Sequence, residues 1–238
     1  MGTTIEAGIV IETPGTITVT DATGAVNIVL ALGDTFYDTR SILVWLKAQL
    51  EATLGSVWTI QIVAGHVTIE TDTYPFAWTW GTATGLRDFL GFAGNVAAQA
   101  VPWIAPVALA GYLYLTRDAI AWPIDYSGRY AATTAHDVYG DGTSEASSVP
   151  GGIQRTAAIV LDLDNPTGTY TEHLAYEAWV DDIQDGRPFT VWPDDTAPGV
   201  SGMLSPKVKA IEIKPTHPPS LVVWRTSFEM SIMGVSDE

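Results

Sequence analysis

Residues 39–54 read TRSILVWLKAQLEATL, and residues 58–71 read WTIQIVAGHVTIET. In the first stretch the apolar residues recur every three or four positions, so one helical face carries a stripe of Ile42, Leu43, Leu46, Leu50 and Leu54. Asp38 or Thr39 is suited to begin this helix, and Gly55 is suited to end it in a left-handed turn. The spacing therefore predicts a helix over about 39–54.

The second stretch predicts a β-hairpin against which the helix packs its leucines. Residues 58–63 and 67–71 are rich in β-branched side chains, and Ala64-Gly65-His66 separates them. Residues 76–80, FAWTW, alternate strictly and place their three aromatic side chains on one face of a strand. Residues 86–90 predict a short helical turn. A further hairpin is predicted from 9–11 to 16–20, around Pro14-Gly15.

Residues 93–110 are rich in Ala, Pro and Val and show no clean period, which favours an extended crossing segment over a helix. We place a boundary between two modules near residue 116. The N-terminal module, 1–116, is predicted to be α+β with one packed helix. The C-terminal module, 117–238, is predicted to be a β-sandwich or barrel with one flanking helix, so the chain as a whole is mainly β.

The second module alternates strand and turn signals. Residues 156–163 and 187–193 predict strands, and residues 140–152 are small, polar and aperiodic, which predicts a long loop. A helix is predicted over about 169–185, opened by a capping box at Thr169 and Glu172, with a buried stripe of Leu174, Ala175, Ala178, Trp179 and Ile183. Two long strands are predicted at about 206–214 and 221–233. A phase slip near Ala210 predicts a β-bulge in the first of them.

Composition excludes several classes of protein. The chain has 238 residues, of which 47% are hydrophobic, so it can bury a sizeable core. It has no Cys, which excludes disulfides, thiol nucleophiles and Fe–S clusters. With 11 Lys and Arg against 27 Asp and Glu the formal net charge is −16, which argues against specific nucleic-acid binding. We find no apolar run long enough for membrane insertion and no signal-peptide pattern.

Three arrangements invite a chemical interpretation, and each has a simpler structural one. Residues 162–168, DLDNPTG, offer oxygen ligands for calcium, but the glycine position does not fit an EF-hand, which favours a strand-to-helix turn. His136-Asp137 with Ser144 lacks the surroundings of a catalytic triad. The adjacent pairs Asp181-Asp182 and Asp194-Asp195 have no basic partner nearby in sequence, which is typical of solvated surface. We expect no enzyme activity, cofactor or metal.

Nine Trp residues are a high count, and exposed Trp side chains can stack on sugar rings. Trp45 lies within a predicted helix, and Trp78, Trp80 and Trp224 alternate in phase with other aromatic side chains, so packing in the core or between subunits explains most of the nine. Trp103 and Trp192, both beside proline, remain candidates for contact with a ligand or a partner. A carbohydrate-binding module is therefore an alternative function.

Two parts of the chain resemble structural proteins of viral and phage particles. The first is the helix-plus-hairpin unit that runs through the aromatic strand to residues 86–92, LRDFLGF. The second is residues 187–195, RPFTVWPDD, together with the long C-terminal strands that include 224–230, WRTSFEM. The second part looks like tail proteins of long-tailed phages, whose tube and distal-tail members are β-sandwiches or barrels with a flanking helix.

The resemblance implies a non-enzymatic virion subunit, made in the host cytoplasm, that forms a tube, distal-tail or baseplate ring. The predicted strand at 221–233 would leave an open edge unless neighbouring copies cover it, which predicts a homo-oligomeric ring. The resemblance implies six copies or a multiple of three, in contact with other tail proteins. The candidate contact residues are Trp103, Trp192, Trp224, Phe228 and Met230. A negative wall would keep DNA from sticking in a conduit, and its candidate residues are Asp181, Asp182, Asp185, Asp194 and Asp195. The alternative is a virion-associated module that binds a carbohydrate or receptor.

Overall fold

The structure is a computed structural model. It describes residues 2–116, 119–120, 125–129, 134–138, 144–148, 154–163, 171–183, 187–193, 199–204, 214–216 and 223–236.

Within this part of the chain, short strands dominate and helices are few. The helices are α1 (Thr39–Leu54), α2 (Thr84–Phe89) and α3 (Thr171–Ile183). The strands are β1 (Thr3–Ala7), β2 (Ile9–Val10), β3 (Gly15–Asp21), β4 (Gly24–Leu30), β5 (Thr35–Phe36), β6 (Trp58–Val63), β7 (His66–Thr71), β8 (Phe76–Thr79), β9 (Val96–Gln99), β10 (Trp103–Ile104), β11 (Tyr112–Leu115), β12 (Asp125–Arg129), β13 (Thr134–Val138), β14 (Ser144–Ser148), β15 (Gln154–Leu163), β16 (Pro188–Trp192), β17 (Gly199–Leu204), β18 (Lys214–Thr216) and β19 (Val223–Ser236). The predicted mainly-β, α+β class is confirmed.

Helix α1 has the predicted bounds and ends. The Asp38 side chain caps its first turn by accepting a hydrogen bond from the Ser41 backbone nitrogen at 2.6 Å. Gly55 ends the helix with a φ of 71°, and its N–H donates to the Glu51 carbonyl. The predicted stripe is buried and packs against β4 and β6.

The predicted hairpin and aromatic strand are also confirmed. Strands β6 and β7 pair in antiparallel register from Trp58↔Thr71 to Val63↔His66. Phe76, Trp78 and Trp80 are buried together, as their alternation requires. The predicted extended crossing at 93–110 forms the short strands β9 and β10.

The predicted hairpin around Pro14-Gly15 is wrong. Strand β3 pairs with β4 from Gly15↔Leu30 to Asp21↔Gly24, and β2 pairs with β5 instead. The turn that decides this pairing is Ala22-Thr23, and it follows Asp21, whose Oδ1 accepts hydrogen bonds from the backbone nitrogens of Thr23 and Gly24. Aspartate side chains stabilise tight turns in this way, so the chain forms the hairpin turn after Asp21 and not the one predicted at Pro14-Gly15.

An eight-stranded antiparallel sheet spans the predicted boundary near residue 116. Its order is β11-β1-β16-β17-β19-β15-β12, with β18 also paired to β19. The open edge predicted at 221–233 is wrong, because β19 lies between β17 and β15. Strand β1 lies between β11 and β16, so residues from both predicted modules belong to one sheet. A register shift occurs between Ser201 and Gly202 of β17, whereas the predicted bulge near Ala210 lies outside the described residues.

Two predictions in the second half are wrong. Part of the predicted loop at 140–152 is strand β14, which pairs with β13. The buried face of α3 is rotated from the predicted stripe, since Leu174, Ala175 and Ala178 are exposed. The residues that α3 buries are Tyr176, Trp179, Val180 and Ile183. Trp179 and Ile183 are buried as predicted and belong to both stripes, and the large apolar area of Tyr176 outweighs that of Ala175 and Ala178 in deciding which side turns inward. The predicted capping box lies mostly outside the described residues.

The turn after α2 provides a test of the fold. Gly91 has a φ of 80°, and a Cβ at this position would overlap the Val107 carbonyl oxygen. We therefore expect Gly91→Ala to lower the free energy of unfolding by more than about 2 kcal/mol. Gly85→Ala is the matched control, because no heavy atom lies within 4 Å of its Cβ position and alanine favours helix. Urea unfolding of both variants measures the difference, and equal midpoints would contradict this description of the turn.

Candidate functional site

Three of the sheets end on one continuous stretch of chain. Strand β9 is the terminal strand of the sheet β4-β3-β8-β9, and β10 is terminal in the sheet β10-β7-β6. Strand β11 is terminal in the eight-stranded sheet. We name residues 89–116 the edge segment, since it supplies a border strand to each of these sheets. Border strands have unpaired backbone groups on one side, and such groups can pair with another chain.

The edge segment is uncharged. Residues 89–116 contain no Asp, Glu, Lys or Arg, and no other stretch of the chain without these residues is as long. Four of its large apolar side chains are half exposed or more, namely Val101, Ile104, Val107 and Tyr114. In a chain with a formal charge of −16 this surface is unusual, because exposed apolar side chains gathered on one segment are typical of an interaction site.

Backbone contacts hold the middle of the edge segment in place. The N–H groups of Ala105 and Leu109 donate to carbonyl oxygens of the β6–β7 hairpin, each at 2.8 Å. His66 Nδ1 lies 2.9 Å from the Ala105 carbonyl oxygen, so this nitrogen carries the proton of the hydrogen bond. The exposed apolar side chains therefore project from an ordered backbone, which reduces the entropy lost on binding.

An aromatic cluster lies beneath the edge segment. Trp103 is partly buried, with its ring centroid 4.2 Å from that of Phe92 and 6.3 Å from that of Trp80. Trp78 is fully buried in the same cluster, 6.2 Å from Trp103. Trp103 thus joins the candidate contact surface to the core, and only part of its side chain is available to a partner.

The other candidate contact residues lie in the large sheet. Trp192 is 2% exposed and lies beneath the Arg40 guanidinium, 4.8 Å from the ring centroid. Phe228 and Met230 are buried, and the Phe228 ring packs against Trp179 at 5.3 Å. These three side chains therefore belong to the chain's own core. Trp224 lies in β19 opposite Leu163.

The candidate acidic residues are only partly described. Asp181 and Asp182 are exposed on α3. The Asp182 carboxylate accepts a hydrogen bond of 2.7 Å from the Gly111 backbone nitrogen, which attaches α3 to the end of the edge segment just before β11. Asp185, Asp194 and Asp195 lie outside the described residues.

The backbone places the candidate chemical residues on strands of the second half of the chain. His136 lies in β13 opposite Ala146, and Ser144 begins β14 opposite Val138. Asp162 lies in β15, while the rest of its candidate calcium turn lies largely outside the described residues. Across the described part of the chain, no group of three or more His, Asp or Glu side chains could hold a metal ion. In the same residues, no helix is both long and apolar enough to cross a bilayer.

An ion pair between Glu6 and Arg40 joins α1 to the eight-stranded sheet. No local pattern in the sequence predicts this pair. The Glu6 side chain, in the middle of β1, is fully buried and accepts a hydrogen bond of 2.7 Å from Arg40 Nε. Burial raises the pKa of Glu6 to about 6, and the Arg40 guanidinium opposes this shift. The pair lies next to Trp192, because the Arg40 guanidinium also covers that ring.

The chain matches no family model, no curated protein and no solved structure.

The raised pKa of the buried Glu6 makes the stability of the chain depend on pH, and this dependence can be tested. Because its pKa is higher in the folded chain than in the unfolded one, its contribution to stability is present at low pH and is lost as the pH rises through about 6. We expect the wild-type chain to gain up to about 2 kcal/mol from this group between about pH 7.5 and about pH 4.5. Glu6→Gln removes this contribution, so urea unfolding of the two proteins should diverge on acidification. Parallel pH profiles would show that the pKa is not raised.

Proposed function

We propose that this chain is a non-enzymatic structural subunit of a long-tailed phage tail, and that the edge segment forms the contact between neighbouring copies. The observation that carries the proposal is the uncharged edge segment with its four exposed apolar side chains. The resemblance of residues 86–92 and 187–195 to phage structural proteins supports the assignment to a tail, as a tube, distal-tail or baseplate component.

Electrostatics favours this surface for self-association. Copies of a chain with a formal charge of −16 repel one another, and an interface that buried carboxylates would add a desolvation cost to that repulsion. The edge segment avoids the desolvation cost, because it contains no charged side chain, and it adds no repulsion of its own at the contact. Contact through this surface also keeps the carboxylates of neighbouring copies apart.

The energetics favours a closed ring over an isolated pair. Full burial of an exposed large apolar side chain stabilises by about 1.5–3 kcal/mol, and these four are only half exposed or slightly more, so together they contribute roughly 3–7 kcal/mol. Association costs roughly 4–15 kcal/mol in lost translational and rotational freedom, so a single contact is weak. In a ring each copy makes two such contacts, and closure stabilises the whole assembly. The copy number of six or a multiple of three rests on the resemblance.

The assembly proposal is tested by adding charge to the edge segment. We expect the double substitution Val101→Lys and Ile104→Lys to shift the chain from oligomer to monomer, because each lysine would have to be desolvated in the interface. Val44→Lys is the control, since Val44 on α1 is exposed to a similar degree and lies outside the edge segment. Native mass spectrometry and light scattering report the mass. A double variant that assembles like the wild-type chain would sink the proposal.

The acidic surface is proposed to line the conduit of the ring. In a reconstruction of the assembled particle, we expect the exposed carboxylates of Asp181 and Asp182 to face the lumen, where they repel the phosphate backbone of DNA. The same expectation holds for Asp185, Asp194 and Asp195. If all five face the outer surface and the inner wall is neutral or basic, the charge serves solubility instead.

A carbohydrate- or receptor-binding module of the virion is the second candidate, and the partly buried Trp103 is the residue that favours it. Glycan-array binding that is lost in Trp103→Ala, by a protein that is monomeric at every concentration, would favour this candidate over the ring.

A further inference from the structure

A groove of about 590 Å³ lies beside the edge segment. Strand β2 and the residues after it form one wall, and α2 with the loop before it forms the opposite wall. Its floor is apolar and is made of Ile11, Leu30, Leu86 and Phe89, each of them buried. The groove combines this apolar floor with polar walls, and its volume is in the range of sites that hold a ligand or a peptide side chain.

The β2 wall has a free backbone edge. Ile9 pairs with Phe36 across β2 and β5, and the Ile11 N–H donates to the Asp34 carbonyl at 2.8 Å. Alternate residues of a strand direct their backbone groups to opposite sides. Val10 therefore directs its N–H and C=O away from β5, on the side of the groove that it lines. An extended segment in the groove can pair with these two groups.

The charges at the groove restrict which occupant fits. Glu12 and Asp88 are exposed at its rim, and Arg187 lines it as well. Asp88 pairs with Arg87 at 2.7 Å and Arg187 offsets Glu12, so the groove has little net charge and favours an uncharged segment, whose binding requires no desolvation of a charged side chain. Since 27 of the residues in this chain are Asp or Glu, most surfaces of a second copy are unsuitable, and an uncharged, extended surface is the suitable one.

We propose that the groove binds the edge segment of a second copy of this chain, centred on residues 101–104. Ile104 is exposed and apolar and matches the floor, and it lies on the face of β10 opposite to the partly buried Trp103. Pro102 keeps the chain extended before it. Strand β10 pairs with β7 on one side only, so its other side is free to pair with Val10. This inference rests on the proposed function and adds which two surfaces meet.

The contact is heterologous, because one copy contributes the groove and the next contributes the edge segment. A head-to-tail contact of this kind generates a ring when its rotation closes. A symmetric contact between two edge segments would instead stop at a dimer. Each copy thus carries both halves of the repeating contact, the groove and the edge segment.

The absence of Cys from the sequence makes a cross-linking test direct. Two variants are prepared separately: Thr84→Cys at the groove wall and Val101→Cys on the edge segment, both at exposed positions. After mixing and mild oxidation, we expect a disulfide-linked heterodimer at a yield at least about ten-fold above that of Thr84→Cys mixed with Val44→Cys. Circular dichroism and unfolding midpoints of the single variants confirm that both fold like the wild-type chain.

The possible outcomes distinguish a failure of the groove contact from a failure of the proposed function. A heterodimer that forms only in the Thr84→Cys and Val101→Cys mixture supports the groove contact. A linked homodimer of Val101→Cys alone, or no cross-link in a protein that still forms wild-type oligomers, overturns the groove contact and leaves the structural role standing. A wild-type chain that is monomeric at every concentration overturns both.

Discussion

The pairing of β1 with strands far away in the sequence is the constraint on which the rest of the structure depends. Residues 3–7 are all buried, with β11 on one side and β16 on the other. The same strand carries Glu6, which binds Arg40 at the start of α1, and the Thr39 hydroxyl donates to the Ala7 carbonyl. One short strand therefore connects the helix-plus-hairpin unit to the large sheet, and an error in its pairing would separate the two.

The position of β1 also determines which surface is left open. With β16 on one side of β1, strand β11 becomes the border of the large sheet, while β9 and β10 border the two smaller ones. These three strands follow one another along the chain, so a single uncharged segment collects the free edges. Charged residues and prolines commonly protect such edges from other chains. The edge segment has Pro102 and Pro106 but no charged residue, and an edge without charge fits one that a neighbouring copy covers.

Local signals predicted the parts of the fold that local contacts determine. Asp38, the leucine stripe and Gly55 define α1 within one stretch, and the hairpin and aromatic strand follow from alternation. The partners of β1 could not be predicted, since Thr4 pairs with Trp192 across most of the chain. The face of α3 was mispredicted because two stripes compete on one helix. The absence of charge in the edge segment was visible in the sequence, but its position at three sheet borders emerges only from the pairing.

Amide hydrogen exchange tests the central claim, which is that the edge segment is covered by a neighbouring copy. The chain is compared at a dilution that keeps it monomeric and at a concentration that assembles it. If a neighbouring copy covers the edge segment, we expect slower exchange in the assembled chain for the amides of β9, β10 and β11, with α1 nearly unchanged. Equal exchange rates in residues 89–116, together with new protection elsewhere, would contradict it.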